Sequence, residues 1–174
     1  MLLYVDDILL AINNQQHMND VKAHLHGNLS MTDLGPLKYF LGIEVTRWQH
    51  GFILSQRKFA LNVLKDTRME PCRPSAFPIE QNCKLTIEDD EPCSDLHQYR
   101  RLVRRLFYLT ITYPDITFAV NILIKFNREP KKSYMDALER VLRYIKMTLG
   151  QGIFLSSTRP SRLEAYNDAN WVGC

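Results

Sequence analysis

Two adjacent aspartates interrupt an otherwise apolar stretch at the start of the chain, LLYVDDILLA over residues 2–11. Short runs of Leu, Ile, Val and Tyr lie on both sides of the pair, and such runs favour β-strands. The segment therefore predicts a β-hairpin with Asp6 and Asp7 at its tip. Because two-residue loops usually need a positive φ, which Gly or Asn adopts more readily than Asp, we expect a somewhat strained turn.

Asp6 and Asp7 allow two interpretations. Adjacent like charges repel each other, and a bound cation would turn that repulsion into a binding site. An acidic turn that faces water needs no ligand, and matches to motifs this short often occur by chance. The dipeptide by itself leaves both interpretations open.

The composition limits the class of protein. A chain of 174 residues that is 45% hydrophobic suits one domain or pieces of several. No apolar run approaches the roughly 20 residues of a membrane helix, and the aspartate pair interrupts the apolar start, so we expect neither a membrane partner nor a secretory signal. Four cysteines without a C-x-x-C pair argue against structural zinc and a disulfide framework. These features predict an intracellular protein.

The charges are unevenly distributed along the chain. Residues 80–95 hold six acidic residues against one lysine, whereas residues 99–149 hold eleven Lys or Arg against four acids. A basic half of this kind suits a phosphate-backbone partner, and a solvated helix face explains it equally well.

The spacing of apolar residues predicts a mixed α and β chain. Asn13 or Asn14 should cap a first helix, and a Pro-rich acidic linker should separate the strand-rich half from the helical half. The other expected elements are strands at 38–47 and 52–54 joined by a turn at Gly51, a helix capped by Ser55, helices at 96–111 and 114–126, a helix from Ser133 to Gly150, and two strands in the tail.

Seven sequence blocks, in one order and at one spacing, carry a family resemblance. They are YVDDILL, DLGPLKYFLGIEV, ILSQRKFALNVL, YRRLV, YLTITYPDITFAVNIL, RVLRYIK and AYNDANWVGC. Together they resemble the reverse transcriptase region of the Pol polyprotein of copia-type LTR retrotransposons, most closely those of plants. A single Y-x-D-D motif is weak evidence, but seven blocks in register are specific.

The resemblance implies an α+β fold. Its expected parts are the C-terminal part of a reverse-transcriptase palm, with two hairpins and a helix, then thumb and connection helices, and then the first strands of an RNase H-like domain. The implied divisions are 1–55 for the partial palm, 56–95 for the thumb-start helix and linker, 96–150 for the basic helices, and 151–174 for the RNase H-like start.

The resemblance also implies a site for RNA-directed DNA polymerase chemistry. Asp6 and Asp7 would be catalytic and would hold Mg²⁺ or Mn²⁺ together with a third, upstream carboxylate. Asp168 matches the first metal-binding aspartate of the RNase H domain and would be vestigial here. The implied contacts to primer and nucleotide are Tyr4, Val5, Phe40, Leu41, Gly42 and Ile43.

The implied partners are an RNA/DNA template–primer duplex and, in the intact family enzyme, a deoxynucleoside triphosphate. The resemblance places the protein in a cytoplasmic particle or the nucleus. Residues expected to contact the nucleic-acid backbone are Arg100, Arg101, Arg140, Arg143 and Lys146, with plain solvated helix faces as the alternative.

Two departures from the intact enzyme affect activity and stability. The family places the first catalytic aspartate and the fingers upstream of Tyr4, so we expect a truncated fragment that is inactive alone and that associates with itself through an exposed palm edge. The alternatives are a non-enzymatic nucleic-acid-binding or interaction module, and a chain that does not fold stably.

Arg68 and Arg104 stand where the family has glycine, which implies a cost in stability at sites of close approach.

Overall fold

The computed structural model describes residues 1–80 and 91–158. Within these ranges the chain forms antiparallel sheets and a cluster of helices, so the expected mixed α and β class is confirmed. The strands are β1 (Leu2–Tyr4), β2 (Asp7–Leu9), β3 (Tyr39–Phe40), β4 (Ile43–Trp48), β5 (Gly51–Ser55) and β6 (Gly152–Ser156). The helices are α1 (Gln15–Asn28), α2 (Arg57–Asp66), α3 (Leu96–Leu109), α4 (Thr117–Lys125) and α5 (Lys132–Met147), with a 3₁₀ turn at Pro114–Ile116 before α4.

A four-stranded antiparallel sheet has the order β3-β4-β5-β6. The last strand returns from the helical half of the chain to pair with β5, in a register that runs from Gly51↔Ser156 to Ser55↔Gly152. Of the two strands expected in the tail, the first is confirmed as β6, and the second lies outside the described residues. The division of the chain into palm, thumb and RNase H-like parts stays a prediction.

The expected strand at 38–47 is wrong in one respect, because a turn divides it into β3 and β4. Leu41 and Gly42 form the two-residue loop and take φ values of 49° and 81°, as a type I′ turn requires at both positions. Gly51, expected in a turn, is instead the first residue of β5, and the β4–β5 loop is residues 49–50. Apolar β-prone residues look alike in one long strand and in a tight hairpin, so the pattern did not separate them.

The hydrophobic core lies among α2, α3, α4 and α5, whereas α1 contributes no buried residue. The apolar spacing of the last helix predicts an inward face of Ala137, Leu138, Val141, Leu142 and Ile145, and all of these except Ala137 are buried. In the described part of the chain, no helix is both long and apolar enough to cross a membrane. Central members of the core are Val63, Leu64, Leu102, Leu106, Leu138, Val141, Leu142 and Ile145.

The helix caps show which helix starts can be predicted from the neighbouring residues. Asn14 caps α1 as expected, because its side-chain oxygen accepts hydrogen bonds from two backbone amides of the first turn. The cap expected at Ser55 is wrong: Ser55 ends β5, and the Glu44 carboxylate on β4 accepts from the Lys58 amide at 2.8 Å. Ser133 lies inside α5 rather than at its cap. A cap supplied by a neighbouring strand leaves no signal beside the helix.

Arg68 adopts a left-handed conformation just after α2, with φ 56°. Its amide donates to the Lys65 carbonyl at 3.0 Å, and the Met69 amide donates to the Leu64 carbonyl at 2.9 Å. This pair of hydrogen bonds is a Schellman motif, in which the left-handed residue is usually glycine. The structure therefore gives a backbone reason for the glycine that the family resemblance implies at this position.

We expect Arg68→Gly to raise the free energy of unfolding by about 1 kcal/mol, because glycine adopts positive φ without a Cβ penalty. The matched control is Arg104→Gly. Arg104 is exposed within α3, so the expectation of crowding there is wrong, and glycine should cost about 1 kcal/mol of helix propensity. Urea denaturation of both variants measures the two shifts. Destabilisation by both replacements would contradict the assignment of backbone strain to Arg68.

Candidate active site

The first hairpin forms as the sequence predicts, but its tip differs by one residue. Tyr4 pairs with Asp7, so the loop consists of Val5 and Asp6, and Asp7 is the first residue of β2. The positive φ falls on Val5, at 48°, rather than on an aspartate. Because valine is β-branched, this conformation is more costly for it than for aspartate, and the expected strain is present on a different residue.

Asp6 and Asp7 are both exposed at this tip. Carboxylate oxygens are the hard ligands that Mg²⁺ and Mn²⁺ prefer, so the donor chemistry of the pair fits such an ion. Among residues 1–80 and 91–158, no other His, Cys, Asp or Glu joins them to make a group of three that could hold a metal. In the described part of the chain, the pair alone would therefore fill only part of the coordination shell of such an ion.

The hairpin exposes apolar side chains, and Val5 is 78% exposed. An isolated two-stranded hairpin is only marginally stable in water. Burial raises the pKa of Tyr108 on α3, the Gln56 amide lowers it, and electrostatic interaction with Tyr39 and Tyr4 raises it. Self-association through the β1 edge stays a prediction.

Tyr108 fixes the β3–β4 turn, which contains the expected primer contacts Leu41 and Gly42. Its hydroxyl donates a hydrogen bond to the carbonyl oxygen of Leu41. A Cβ at Gly42 would lie 3.0 Å from the Tyr108 hydroxyl, so glycine allows this close approach as well as the positive φ. Phe40 and Ile43 flank the turn and are partly buried. Sequence reasoning missed Tyr108, although Gly42 was a signal of close contact.

A buried hydrogen bond joins the residue before α2 to the segment after α3. Gln56 and Thr112 are both fully buried, and the Thr112 hydroxyl donates to Gln56 Oε1 at 2.8 Å. Gln56 Nε2 has no hydrogen-bond partner of good geometry among the described residues, although the amide is close enough to lower the pKa of Tyr108. The Phe59 ring meets the Tyr108 ring edge-on at 5.1 Å. The start of α2 and the end of α3 are thereby joined beneath the turn.

The two basic residues expected to bind nucleic acid from α3 differ in their contacts. Arg100 donates through Nε to the Asn127 carbonyl at 2.9 Å and through Nη2 to the Arg128 carbonyl at 3.0 Å. It therefore stabilises the chain that follows α4. Arg101 is exposed. A role in nucleic-acid binding stays a prediction for both residues.

The three basic residues expected to bind nucleic acid from α5 contact acidic or carbonyl groups of the protein itself. Arg140 forms an ion pair with Glu80. Nη2 of Arg143 lies 3.6 Å from Oε2 of Glu139, one helical turn earlier. Lys146 donates to backbone carbonyls in the segment of residues 70–72. Arg140 and Lys146 therefore hold residues 70–80 against α5, and the predicted contacts to nucleic acid would have to share these groups. Asp168 lies outside the described residues.

Comparison with known proteins identifies the family of the chain. The family model described as "Reverse transcriptase (RNA-dependent DNA polymerase)" matches residues 1–81. The chain is 37% identical over 174 residues to an uncharacterized mitochondrial protein of Arabidopsis thaliana, covering 72% of that protein. It is 39% identical over 173 residues to the retrovirus-related Pol polyproteins from transposons RE1 and RE2 of the same plant. No solved structure matches the chain.

The chain belongs to the reverse transcriptase family, and its relatives include the Pol polyproteins of plant retrotransposons. It spans 12% of the length of the RE1 and RE2 polyproteins. The family match covers the YVDD hairpin, the β3–β4 turn and α2.

Proposed function

We propose that the hairpin of residues 2–9 is the metal-binding hairpin of a copia-type RNA-directed DNA polymerase. The observation that carries this proposal is the exposure of Asp6 and Asp7 together at a hairpin tip, within the region that matches the reverse transcriptase family. The reaction is template-directed nucleotidyl transfer, in which a primer 3′-hydroxyl loses its proton and attacks the α-phosphate of a deoxynucleoside triphosphate in line, and the bond to the β-phosphate breaks to release pyrophosphate.

Asp6 and Asp7 would hold Mg²⁺ or Mn²⁺ through their carboxylate oxygens. When bound, such ions stabilise negative charge on the attacking and leaving oxygens of phosphoryl transfer. Tyr4 and Val5 would lie beneath the nucleotide and the primer end. Both precede Asp6 in the hairpin, and the positive φ of Val5 sets where the carboxylates that follow lie relative to this platform.

The β3–β4 turn would hold the primer end of an RNA/DNA template–primer duplex. Tyr108 supports this proposal, since its hydrogen bond to Leu41 and its contact with Gly42 hold the turn from the side of α3. A turn fixed in this way presents its backbone at a constant angle, as positioning of a reacting strand requires.

Metal binding tests the proposed role of the aspartates without any need for activity. Mn²⁺ titration followed by electron paramagnetic resonance should detect weak binding by the chain, because two carboxylates fill only part of the coordination shell. Replacing both Asp6 and Asp7 by Asn should abolish it. The matched control replaces Asp89 and Asp90, another adjacent aspartate pair, and should leave binding unchanged. Equal loss in both double variants would contradict a site at the hairpin.

Primer extension on an RNA template tests the polymerase part. We expect no incorporation by this chain alone with Mg²⁺ or Mn²⁺, since a third carboxylate is needed to complete the paired-ion site. If the parent chain incorporates nucleotides and the Asp6 and Asp7 double variant does not, the expected inactivity is wrong and the assignment of the aspartates is supported. Incorporation that the double variant retains would contradict that assignment.

A further inference from the structure

An open cavity of about 370 Å³ lies between α5 and the segment of residues 73–77. Three arginines line it, Arg73 from the segment and Arg140 and Arg143 from α5, and none of the described residues that line it is acidic. The Ser75 amide donates to the Arg143 carbonyl at 3.2 Å, which fixes the segment on the helix. The cavity is therefore a built feature of the fold, and its wall is basic.

The arginines of this cavity retain donors for an anion. Arg140 and Arg143 each have one glutamate partner, and Arg73 forms no ion pair with the residues that the structure describes. Arg140 Nε is buried and has no hydrogen-bond partner in the described part of the chain. Because a guanidinium carries five N–H donors, these contacts leave several unused. Arginines so placed recognise phosphate well.

Phe77 adds an aromatic surface to the basic wall. Its ring lines the cavity and is 63% exposed, although burial of a phenylalanine is favourable. Proteins that bind single-stranded nucleic acid combine a positively charged groove for the backbone with exposed aromatic rings on which bases stack. A cavity of this volume is within the range of small-ligand sites.

We propose that this cavity binds one nucleotide of a single-stranded nucleic acid, with its phosphate at Arg73, Arg140 and Arg143 and its base stacked on Phe77. A duplex would present phosphates to the arginines but would keep its bases paired and out of reach of the ring. The ring therefore favours a single strand over a duplex. None of the residues of the first hairpin takes part, so this proposal does not depend on the metal site proposed there. Arg140 and Arg143 are the residues that it shares with the predicted contacts to the nucleic-acid backbone.

Fluorescence anisotropy with a labelled oligothymidylate of about 12 nucleotides tests the stacking contact on the full chain. At roughly 50 mM salt, Phe77→Ala should weaken binding on the order of tenfold, the loss expected for one stacked base. The matched control is Phe118→Ala on α4, a phenylalanine of similar exposure at 68% that does not line the cavity. It should bind as the parent chain does.

The salt dependence of oligothymidylate binding measures the phosphate contact separately. Arg73→Ala should lower affinity and reduce the slope of log K against log salt by about 0.7, the value for one single-strand phosphate contact. Arg104→Ala, at an exposed position of α3 that is not among the predicted nucleic-acid contacts, should change neither. Circular dichroism checks that each variant is folded, as expected for exposed side chains.

Three outcomes would overturn the proposal. Absence of binding by the parent chain at low salt would remove the site altogether. An unchanged affinity in Phe77→Ala, or equally tight binding of a duplex, would leave only a general phosphate contact and exclude base stacking. A loss in Arg104→Ala without a loss in Arg73→Ala would place the binding surface on α3 instead.

Discussion

Gly51→Ala should lower the free energy of unfolding by about 3 kcal/mol and detach β6 from the sheet. Gly51 is buried and has a φ of 154°, which side-chain-bearing residues rarely adopt. A Cβ there would collide with the carbonyl oxygen of Leu155 on β6. Since that oxygen belongs to the backbone of a paired strand, it cannot move aside without breaking the β5–β6 ladder.

Gly27→Ala is the matched control for this prediction. Gly27 lies within α1, and an added Cβ would meet no atom within 4 Å, so alanine should stabilise the helix by about 0.5 to 1 kcal/mol. Urea denaturation should show opposite shifts for the two variants, and hydrogen exchange should show loss of protection confined first to β6. Equal small shifts in both would mean that β6 does not pair with β5 as described.

Stability should fall steeply above pH 10, because burial raises the pKa of Tyr99 far above its usual value. The unfolded chain loses this phenol proton near pH 10, whereas the folded chain keeps it. The contribution is therefore complete below pH 10 and is lost as pH rises toward the folded pKa, by roughly 1.4 kcal/mol per pH unit for a fully buried tyrosine. Burial raises the pKa of Tyr113 in the same direction, and a hydrogen bond to Asp115 raises that of Tyr144 to about 12.

Thermal unfolding between pH 8 and 11, with tyrosinate absorbance recorded in parallel, measures this effect. Tyr99→Phe is the informative variant. It loses the hydrogen bond from the Tyr99 hydroxyl to the Leu123 carbonyl, at a cost of about 1 kcal/mol near neutral pH, and it should also show a shallower alkaline decline. An unchanged decline in this variant would mean that Tyr99 does not contribute to it.

Several features of this protein follow from residues that are close together in the sequence. The short apolar runs on both sides of Asp6 and Asp7 predicted the first hairpin, the Asn14 side chain predicted the start of α1, and helical spacing predicted the buried face of α5. These features are local, because period and capping are set within a few residues. The ordered blocks likewise determined the family, which the comparisons confirm.

Only the tertiary structure decided the features that join distant parts of the chain. Glu44 caps α2 from 14 residues away, and Tyr108 holds the Leu41 carbonyl from 67 residues away. The same holds for the pairing of β6 with β5 and for the arginine-lined cavity. A contact between distant residues produces no periodic pattern in the sequence of either segment. One basic side chain can donate to a carbonyl, a glutamate or a phosphate. Which of these it meets depends on the packing of the whole chain.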